Sequence, residues 1–148
     1  MARSMRGLSS YWRRKGGRGV DTGHEFLIAH AFPPPDEGRR SVATFLSRIS
    51  KERLLIPSIA IVEFIKVAGT RLGAEQAGIK LKLWIARGAG VLSVDEGTAF
   101  LAGKLALRHR GVPMADVIIG ALAKQHKAAV ITDDPHFKTL SIKTVWYK

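Results

Sequence analysis

Asp116 is the single charged residue in a stretch of the chain that is otherwise almost entirely apolar. The stretch runs from Gly111 to Ala123 and reads Gly-Val-Pro-Met-Ala-Asp-Val-Ile-Ile-Gly-Ala-Leu-Ala. Its composition predicts a largely buried helix with Pro113 in the first turn. A carboxylate in such surroundings is costly unless a proton, a partner or a metal ion compensates its charge. Taken alone, Asp116 is explained by the favourable interaction of an acid with the positive end of a helix dipole.

Three other acids are placed in the same way, in or against apolar segments. Glu63 is the single charge in residues 54–65. Asp134 ends the strand-like run 128–134, and Asp21 precedes a further apolar segment. Carboxylates that converge without a nearby base are the ligand set of a hard divalent cation such as Mg²⁺ or Mn²⁺. We therefore predict one catalytic, metal-binding cluster, formed by Asp21, Glu63, Asp116 and Asp134.

Basic side chains are twice as numerous as acidic ones. The chain has 24 Lys and Arg residues against 12 Asp and Glu residues, a formal net charge of +12. This charge favours a polyanionic partner, above all a nucleic acid. A carboxylate-bound cation in a basic protein suits phosphodiester hydrolysis, because the metal polarises the phosphate and lowers the pKa of the attacking water. The candidates for contact with the nucleic acid are Arg39, Arg40, Arg108 and Arg110.

Other catalytic chemistries find little support in the residues. The absence of cysteine excludes disulfide bonds, thiolate zinc sites and cysteine nucleophiles. The chain has no glycine-rich phosphate loop and no serine elbow. Its five histidines are scattered without the spacing of metal ligands, so they are expected to be surface or packing residues. His24 and His136 are close in sequence to the acids and are candidates for a supporting role.

Strand-like and helix-like segments alternate along the chain. This alternation predicts a three-layer α/β/α sandwich around a mainly parallel sheet. Ligands of such sheets bind beyond the carboxyl ends of the strands, so the four acids can converge at one edge. The first strand is weakly marked, because Val20 alone is apolar before Asp21.

The predicted helices differ in how clearly they are marked. A helix over residues 25–32 is stopped by three prolines. Ser58, after Pro57, is the predicted N-cap of a helix that runs to about Ala68. Gly69 and Gly73 are expected to bracket a bend after it. A further helix over residues 74–87 is expected to turn Ile79, Leu83 and Ala86 towards the core.

Four short motifs, taken in order, resemble those of PIN-domain nucleases. They are Asp21-Thr22, Glu63 shortly after Pro57-Ser58, Ala115-Asp116-x-x-Ile119, and Thr132-x-Asp134 followed by Phe137. The resemblance covers Val20 to Trp146. The length of the chain and the order of its elements are similar to those of the small VapC-type toxins of toxin–antitoxin pairs.

The resemblance implies a Mg²⁺- or Mn²⁺-dependent endoribonuclease that acts on RNA, forms a homodimer and is inhibited by a cognate antitoxin. It implies that Asp21, Asp116 and Asp134 are metal ligands. Glu63 would complete the cluster, either as a ligand or through a water molecule.

Three further polar residues receive supporting roles from the resemblance. Thr132 would be a supporting hydroxyl, and Thr22 a second one. Asp133 occupies the variable position of the Thr-x-Asp motif, where it is either a supporting acid or a turn residue.

The chain is expected to consist of a flexible basic arm over residues 1–19 and one PIN-like nuclease domain over residues 20–148. The arm is rich in Arg, Lys, Gly and Ser. No apolar run approaches the length of a membrane span, and the N-terminus lacks the apolar region of a signal peptide. A cytoplasmic protein without a membrane partner is therefore expected.

Two other functions remain open. The first is a PIN-like ribonuclease of RNA processing or decay, which an antitoxin gene immediately upstream would argue against. The second is a non-catalytic basic module that binds nucleic acid on the same scaffold. Such a module has no need of four acids in apolar surroundings, since these repel phosphate when no metal is bound. A phosphatase-like hydrolase would need an Asp-x-Asp pattern after the first strand, and the sequence lacks it.

Overall fold

The computed structural model of the chain describes residues 19–22, 37–49, 53–132 and 134–146. Their strands are β1 (Gly19–Thr22), β2 (Arg53–Pro57), β3 (Gly90–Leu92), β4 (Ala129–Ile131) and β5 (Thr144–Val145). Their helices are α1 (Glu37–Ile49), α2 (Ser58–Leu72), α3 (Ala74–Ala86), α4 (Glu96–Arg108), α5 (Met114–His126) and α6 (His136–Thr139). No helix in these ranges is long and apolar enough to cross a membrane. The basic arm before Gly19 and the helix predicted over residues 25–32 lie outside the described residues.

The strands form one sheet in the order β3-β2-β1-β4-β5, and every neighbouring pair is parallel. The predicted parallel sheet is thereby confirmed. The weakly marked β1 is its central strand, in which Asp21 is in register with Leu55 of β2 and Val130 of β4. After β3 the chain returns to the other side of β1 to add β4. The strand order therefore reverses between β1 and β4, and open α/β sheets bind ligands at such a reversal.

Helices cover both faces of the sheet. Successive residues of a strand point to opposite faces, and the apolar clusters divide accordingly. On one face, Leu55 packs with Leu122 of α5, and Val130 packs with the same helix. On the other face, Ile56 packs with α2 and α3, and Ile131 packs with α1. Helix α4 packs against α5 and belongs to the same layer. With helices on both faces of the sheet, the predicted three-layer α/β/α arrangement is confirmed.

The start of α2 follows directly from the end of β2. Pro57 closes the strand and takes the N-cap position, while Ser58 is the first residue of the helix. The prediction of Ser58 as the N-cap is wrong, because a residue inside the first turn does not have the extended backbone of a cap. The helix also continues through Gly69 to Leu72. The bend falls at Gly73, whose φ of 82° is readily adopted by glycine.

Helix α3 occupies the predicted range but turns a different face to the core. Ala77 and Leu81 are buried, and Trp84 is packed against the same cluster. Ile79 and Leu83, which the sequence predicts to be inward, are 41% and 52% exposed. Apolar side chains occur all round this helix, so its periodicity does not select one buried face.

Candidate metal centre

Helix α5 carries Asp116 to the carboxyl edge of the sheet. The helix leads through a short turn into the amino end of β4, against which it packs, so its own first turn lies at the opposite edge. Asp116 lies in that first turn and is half-buried. The N-cap position is Pro113, and the start of α5 has no side-chain cap hydrogen bond. Asp116 is therefore not the N-cap residue of α5.

The loop after β4 holds Asp134 through two local hydrogen bonds. The backbone N–H of Asp134 donates to Thr132 Oγ1 at 3.1 Å. Asp134 Oδ1 in turn accepts a hydrogen bond from the backbone N–H of His136 at 2.9 Å. Thr132 is 2% exposed, so its hydroxyl is a fixed anchor inside the fold. This geometry suits the supporting hydroxyl that the resemblance assigns to Thr132.

His136 joins the two acids. Its ring nitrogen Nδ1 lies 2.9 Å from Asp116 Oδ2 and 2.9 Å from Asp134 Oδ1. All three side chains are partly accessible to solvent. The structure therefore brings together two of the four predicted acids, from segments 18 positions apart in the sequence, and adds an imidazole between them.

The three side chains have the spacing of a metal site. Among the described residues, Asp116, Asp134 and His136 each offer one ligand atom, and these atoms lie within 4.8 Å of one another. In an octahedral site with ligand distances of about 2.0–2.1 Å, adjacent ligand atoms are about 2.9 Å apart and opposite ones about 4.2 Å apart. The group thus fits a divalent cation without a large rearrangement.

Glu63 lies on α2. That helix packs against α5, and Ile59, one turn before Glu63, contacts the apolar cluster shared by α5 and β4. Glu63 is half-buried, and its Oε1 is shielded from solvent. Its carboxylate does not belong to the ligand group formed by the described residues. Participation of Glu63 in the cluster stays a prediction.

The backbone of β1 ends beside β4, where the predicted cluster requires Asp21. Thr22 is in register with Ile131, the last residue of β4. The side chains of Asp21 and Thr22 are outside the described part of the structure, as is the whole of Asp133. The roles expected for these three residues stay predictions.

The basic residues considered for nucleic-acid contact are at the surface where they are described. Arg40, Arg108 and Arg110 are exposed. Arg108 ends α4, and Arg110 lies in the connection to α5, so both are at the end of α5 that carries Asp116. The side chain of Arg39 on α1 is not described.

His136 is the site residue that sequence reasoning did not assign to the cluster. The sequence predicts a surface or packing histidine that is a candidate for a supporting role. Its proximity to Asp116 depends on how α5 meets the loop after β4, which the sequence spacing does not contain. The available signal was its position two residues after an aspartate, a spacing that favours a local side-chain-to-backbone hydrogen bond.

Known proteins resemble the chain in sequence and in fold. The family model of the PIN domain matches residues 25–143. No curated protein sequence matches the chain significantly.

Solved structures of similar fold come from several bacteria. VapBC2 of Rickettsia felis, bound to a promoter DNA fragment, has a TM-score of 0.69 and 19% identity over 86% of this chain and 97% of that chain. A toxin–antitoxin complex from Klebsiella pneumoniae has a TM-score of 0.66 and 17% identity, over 88% and 98% of the two chains. The sarcin–ricin-loop-cleaving toxin VapC20 of Mycobacterium tuberculosis has a TM-score of 0.65 and 16% identity, over 84% and 96%. At these identities the similarity concerns the fold.

Proposed function

Because the chain belongs to the PIN-domain family, we propose that it is a metal-dependent endoribonuclease and the toxin of a toxin–antitoxin pair. The observation that carries the proposal is the meeting of Asp116 and Asp134 at the edge where the strand order reverses. Two adjacent carboxylates repel each other, and a divalent cation relieves that repulsion. Their location in a chain of net charge +12 suits a site at which a polyanion is cleaved.

In the proposed reaction, Mg²⁺ or Mn²⁺ would be held by Asp116 and Asp134, with Asp21 and Glu63 as further ligands. Bound there, the cation would polarise the scissile phosphate and lower the pKa of the attacking water. The hydroxyl of Thr132 keeps the Asp134 loop in place by accepting its backbone N–H. Arg108 and Arg110 would contact the phosphate backbone, which positions a nucleic acid without reading its sequence.

The proposed partners are RNA, a second copy of the chain and an antitoxin. The structural relatives support the antitoxin, since the Klebsiella structure is a toxin–antitoxin complex. VapC20, which cleaves the sarcin–ricin loop, supports a nuclease activity on this fold. The resemblance of the motifs to VapC-type toxins supports RNA as the substrate.

The test uses the purified full-length chain with a mixed RNA substrate. Cleavage is measured with Mg²⁺, with Mn²⁺ and after addition of EDTA. Asp116→Asn removes one ligand charge with little change in shape, and Asp95→Asn makes the same chemical change at the start of α4. We expect cleavage to require the metal, to fall by at least about 100-fold in Asp116→Asn, and to be retained in Asp95→Asn.

The other outcomes separate the alternatives. RNA binding without cleavage in either metal would favour the non-catalytic module. Cleavage that survives both EDTA and Asp116→Asn would contradict the carboxylate site altogether.

The toxin assignment needs a test in cells. Expression of the wild-type chain in a bacterium is expected to arrest growth, and Asp116→Asn is expected to be harmless. Co-expression of the product of an adjacent small gene should restore growth by blocking the site. RNA cleavage without growth arrest would instead favour a ribonuclease of RNA processing or decay.

An exposed apolar face on α4 supports the proposed homodimer. Phe100 and Leu107 are seven residues apart, and their side chains are 66% and 67% exposed. Residues at this spacing lie on the same side of a helix. Phe100→Lys is expected to convert a dimer to a monomer in light scattering coupled to gel filtration. A dimeric Phe100→Lys variant would place the dimer interface elsewhere. A monomeric wild type would contradict the homodimer.

A further inference from the structure

The carboxylate chemistry of the proposed nuclease leaves one residue of the site without a role. His136 places Nδ1 between Asp116 and Asp134, at 2.9 Å from a carboxylate oxygen of each. A histidine that only formed a hydrogen bond with one of the two carboxylates would need to lie close to a single carboxylate oxygen. The symmetric position calls for a function that involves both acids at once.

We propose that His136 Nδ1 is itself a ligand of the metal ion, so that the site is a mixed nitrogen–oxygen site that selects Mn²⁺ over Mg²⁺. This inference rests on the proposed metal-dependent function, because it specifies how that metal is held. As a ligand, Nδ1 offers its lone pair to the cation, and Nε2 carries the ring proton.

The distances suit three ligands on one cation. Two contacts of 2.9 Å from Nδ1 equal the separation of about 2.9 Å between adjacent ligand atoms of an octahedral site. All three ligand atoms lie within 4.8 Å of one another, so Asp116 and Asp134 can occupy positions that are both adjacent to the imidazole. A cation can then enter between the three atoms with small side-chain movements.

The local backbone holds the imidazole in this place. Pro135 has a φ of −66°, and the backbone N–H of His136 donates to Asp134 Oδ1. Phe137, the next residue, is 2% exposed and packs in the cluster of α5 and β4. Because the proline before it and the core residue after it restrain the backbone of His136, only the side-chain torsions of the ring remain to be ordered when it binds a metal.

The donor set determines the preference among cations. Carboxylate oxygens suit Mg²⁺ and Mn²⁺, whereas imidazole nitrogen suits transition-metal ions. Mg²⁺ also releases its water molecules reluctantly. Replacement of one oxygen ligand by Nδ1 of His136 therefore favours Mn²⁺.

The test detects the metal–nitrogen bond directly in the full-length chain. Mn²⁺ is added to the wild type, and electron spin echo envelope modulation records whether a ¹⁴N nucleus is coupled to it. The variants are His136→Ala and His136→Gln, with His126→Ala as the matched control. His126 is an exposed residue at the far end of α5. Competition between Mn²⁺ and Mg²⁺ is measured in parallel, and circular dichroism verifies that each variant is folded.

We expect a ¹⁴N signal in the wild type and in His126→Ala, and its loss in both His136 variants. The affinity for Mn²⁺ should fall by about 10-fold or more in His136→Ala, and the affinity for Mg²⁺ should fall less. Mn²⁺ that binds through Asp116 without any ¹⁴N signal would overturn the histidine ligand and leave the proposed nuclease intact. A ¹⁴N signal that persists in both His136 variants would also overturn it. Failure of the wild type to bind Mn²⁺ while it binds Mg²⁺ would overturn the histidine ligand alone, and failure to bind either cation would overturn both proposals.

Discussion

The two ends of α5 each carry a cluster of polar side chains around an acid that begins a helix. At the first turn of α5, Asp116 meets Asp134 and His136. Near its last turn, Gln125 contacts Thr98, which also contacts Asp95 at the start of α4. Asp95 is the N-cap residue of α4, and Asp116 lies in the first turn of α5. Asp95 occupies the N-cap position of its helix, whereas Asp116 faces a second acid and a histidine.

The Asp95 cluster has the properties of a structural cap. Asp95 Oδ1 accepts the backbone N–H of Thr98 at 2.8 Å and lies 2.9 Å from its hydroxyl. The hydroxyl also lies 2.7 Å from Oε1 of Gln125, which links α4 to α5. The hydrogen bonds from Thr98 lower the pKa of Asp95 below the ordinary range of an aspartate. Asp95 is therefore the N-cap residue of α4.

The Asp116 cluster is built differently. Asp116 lies inside the first turn of α5, whose N-cap position is occupied by Pro113. It faces a second acid and an imidazole from a different segment of the chain. An arrangement that sets two carboxylates side by side serves the fold poorly and a cation well. The two acids therefore differ in what their carboxylates face, although both lie near the start of a helix.

The largest expected difference between the two ends is in metal-dependent stability. Mn²⁺ at about 100 times its dissociation constant should raise the free energy of unfolding of the wild type by about 2.7 kcal/mol, because it binds the folded state alone. Asp116→Asn should remove this gain, and Asp95→Asn should retain it. Thermal unfolding with and without Mn²⁺ measures both. An equal gain in Asp116→Asn would mean that the metal binds elsewhere.

The second difference concerns the two buried threonines. Thr98→Val leaves the Gln125 amide and the Asp95 cap without their shared hydroxyl, and should lower the free energy of unfolding by about 1–3 kcal/mol. RNA cleavage by Thr98→Val should remain, because the α4 cap is at the far end of α5.

Thr132→Val should weaken Mn²⁺ binding by about 10-fold, because Asp134 loses its anchor. Thr132→Ser serves as the control that keeps the hydroxyl. Urea unfolding measures the stability of Thr98→Val and Thr132→Val, and titration measures their affinity for Mn²⁺. Equal losses of Mn²⁺ affinity in the two variants would contradict the prediction.

A smaller effect is expected when Asp116→Asn is compared with the wild type in EDTA. The variant removes the repulsion between Asp116 and Asp134, so its stability should be unchanged or higher. Asp95→Asn should instead lower the melting temperature, since it weakens a cap. A large loss of stability in Asp116→Asn would indicate that Asp116 is a structural acid.

The smallest effect is expected at acid pH. Because the pKa of Asp95 is lowered in the folded state, its contribution to stability is present above the unfolded pKa of about 3.9 and is lost as pH falls through the folded value. The difference in stability between the wild type and Asp95→Asn should therefore shrink below about pH 4. Urea titrations at pH 3 to 6 measure it, and a difference that grows on acidification would contradict the capping role.

Much of the fold could be predicted from local patterns. The alternation of elements indicates the parallel sheet, and the apolar stretch around Asp116 indicates the buried helix α5. Prediction was poorer where the pattern is equivocal. In α3, apolar side chains lie all round the helix, so the face buried against β2 depends on the neighbouring helices. At β1, a strand with little apolar character is held by pairing with β2 and β4 on both sides.

The basic character of the chain, the four acids in or against apolar segments and the PIN-domain motifs can all be read from the order of the residues. Apolar periodicity and the composition of single segments are local properties, so they can be seen in one dimension. The tertiary structure alone decided that His136 stands between Asp116 and Asp134, and that Asp95 is satisfied by Thr98. These contacts depend on the packing of α5 against β4 and α4, which joins residues that the chain keeps apart. The assignment of Asp95 to a helix cap and of Asp116 to the proposed metal site therefore requires the tertiary structure.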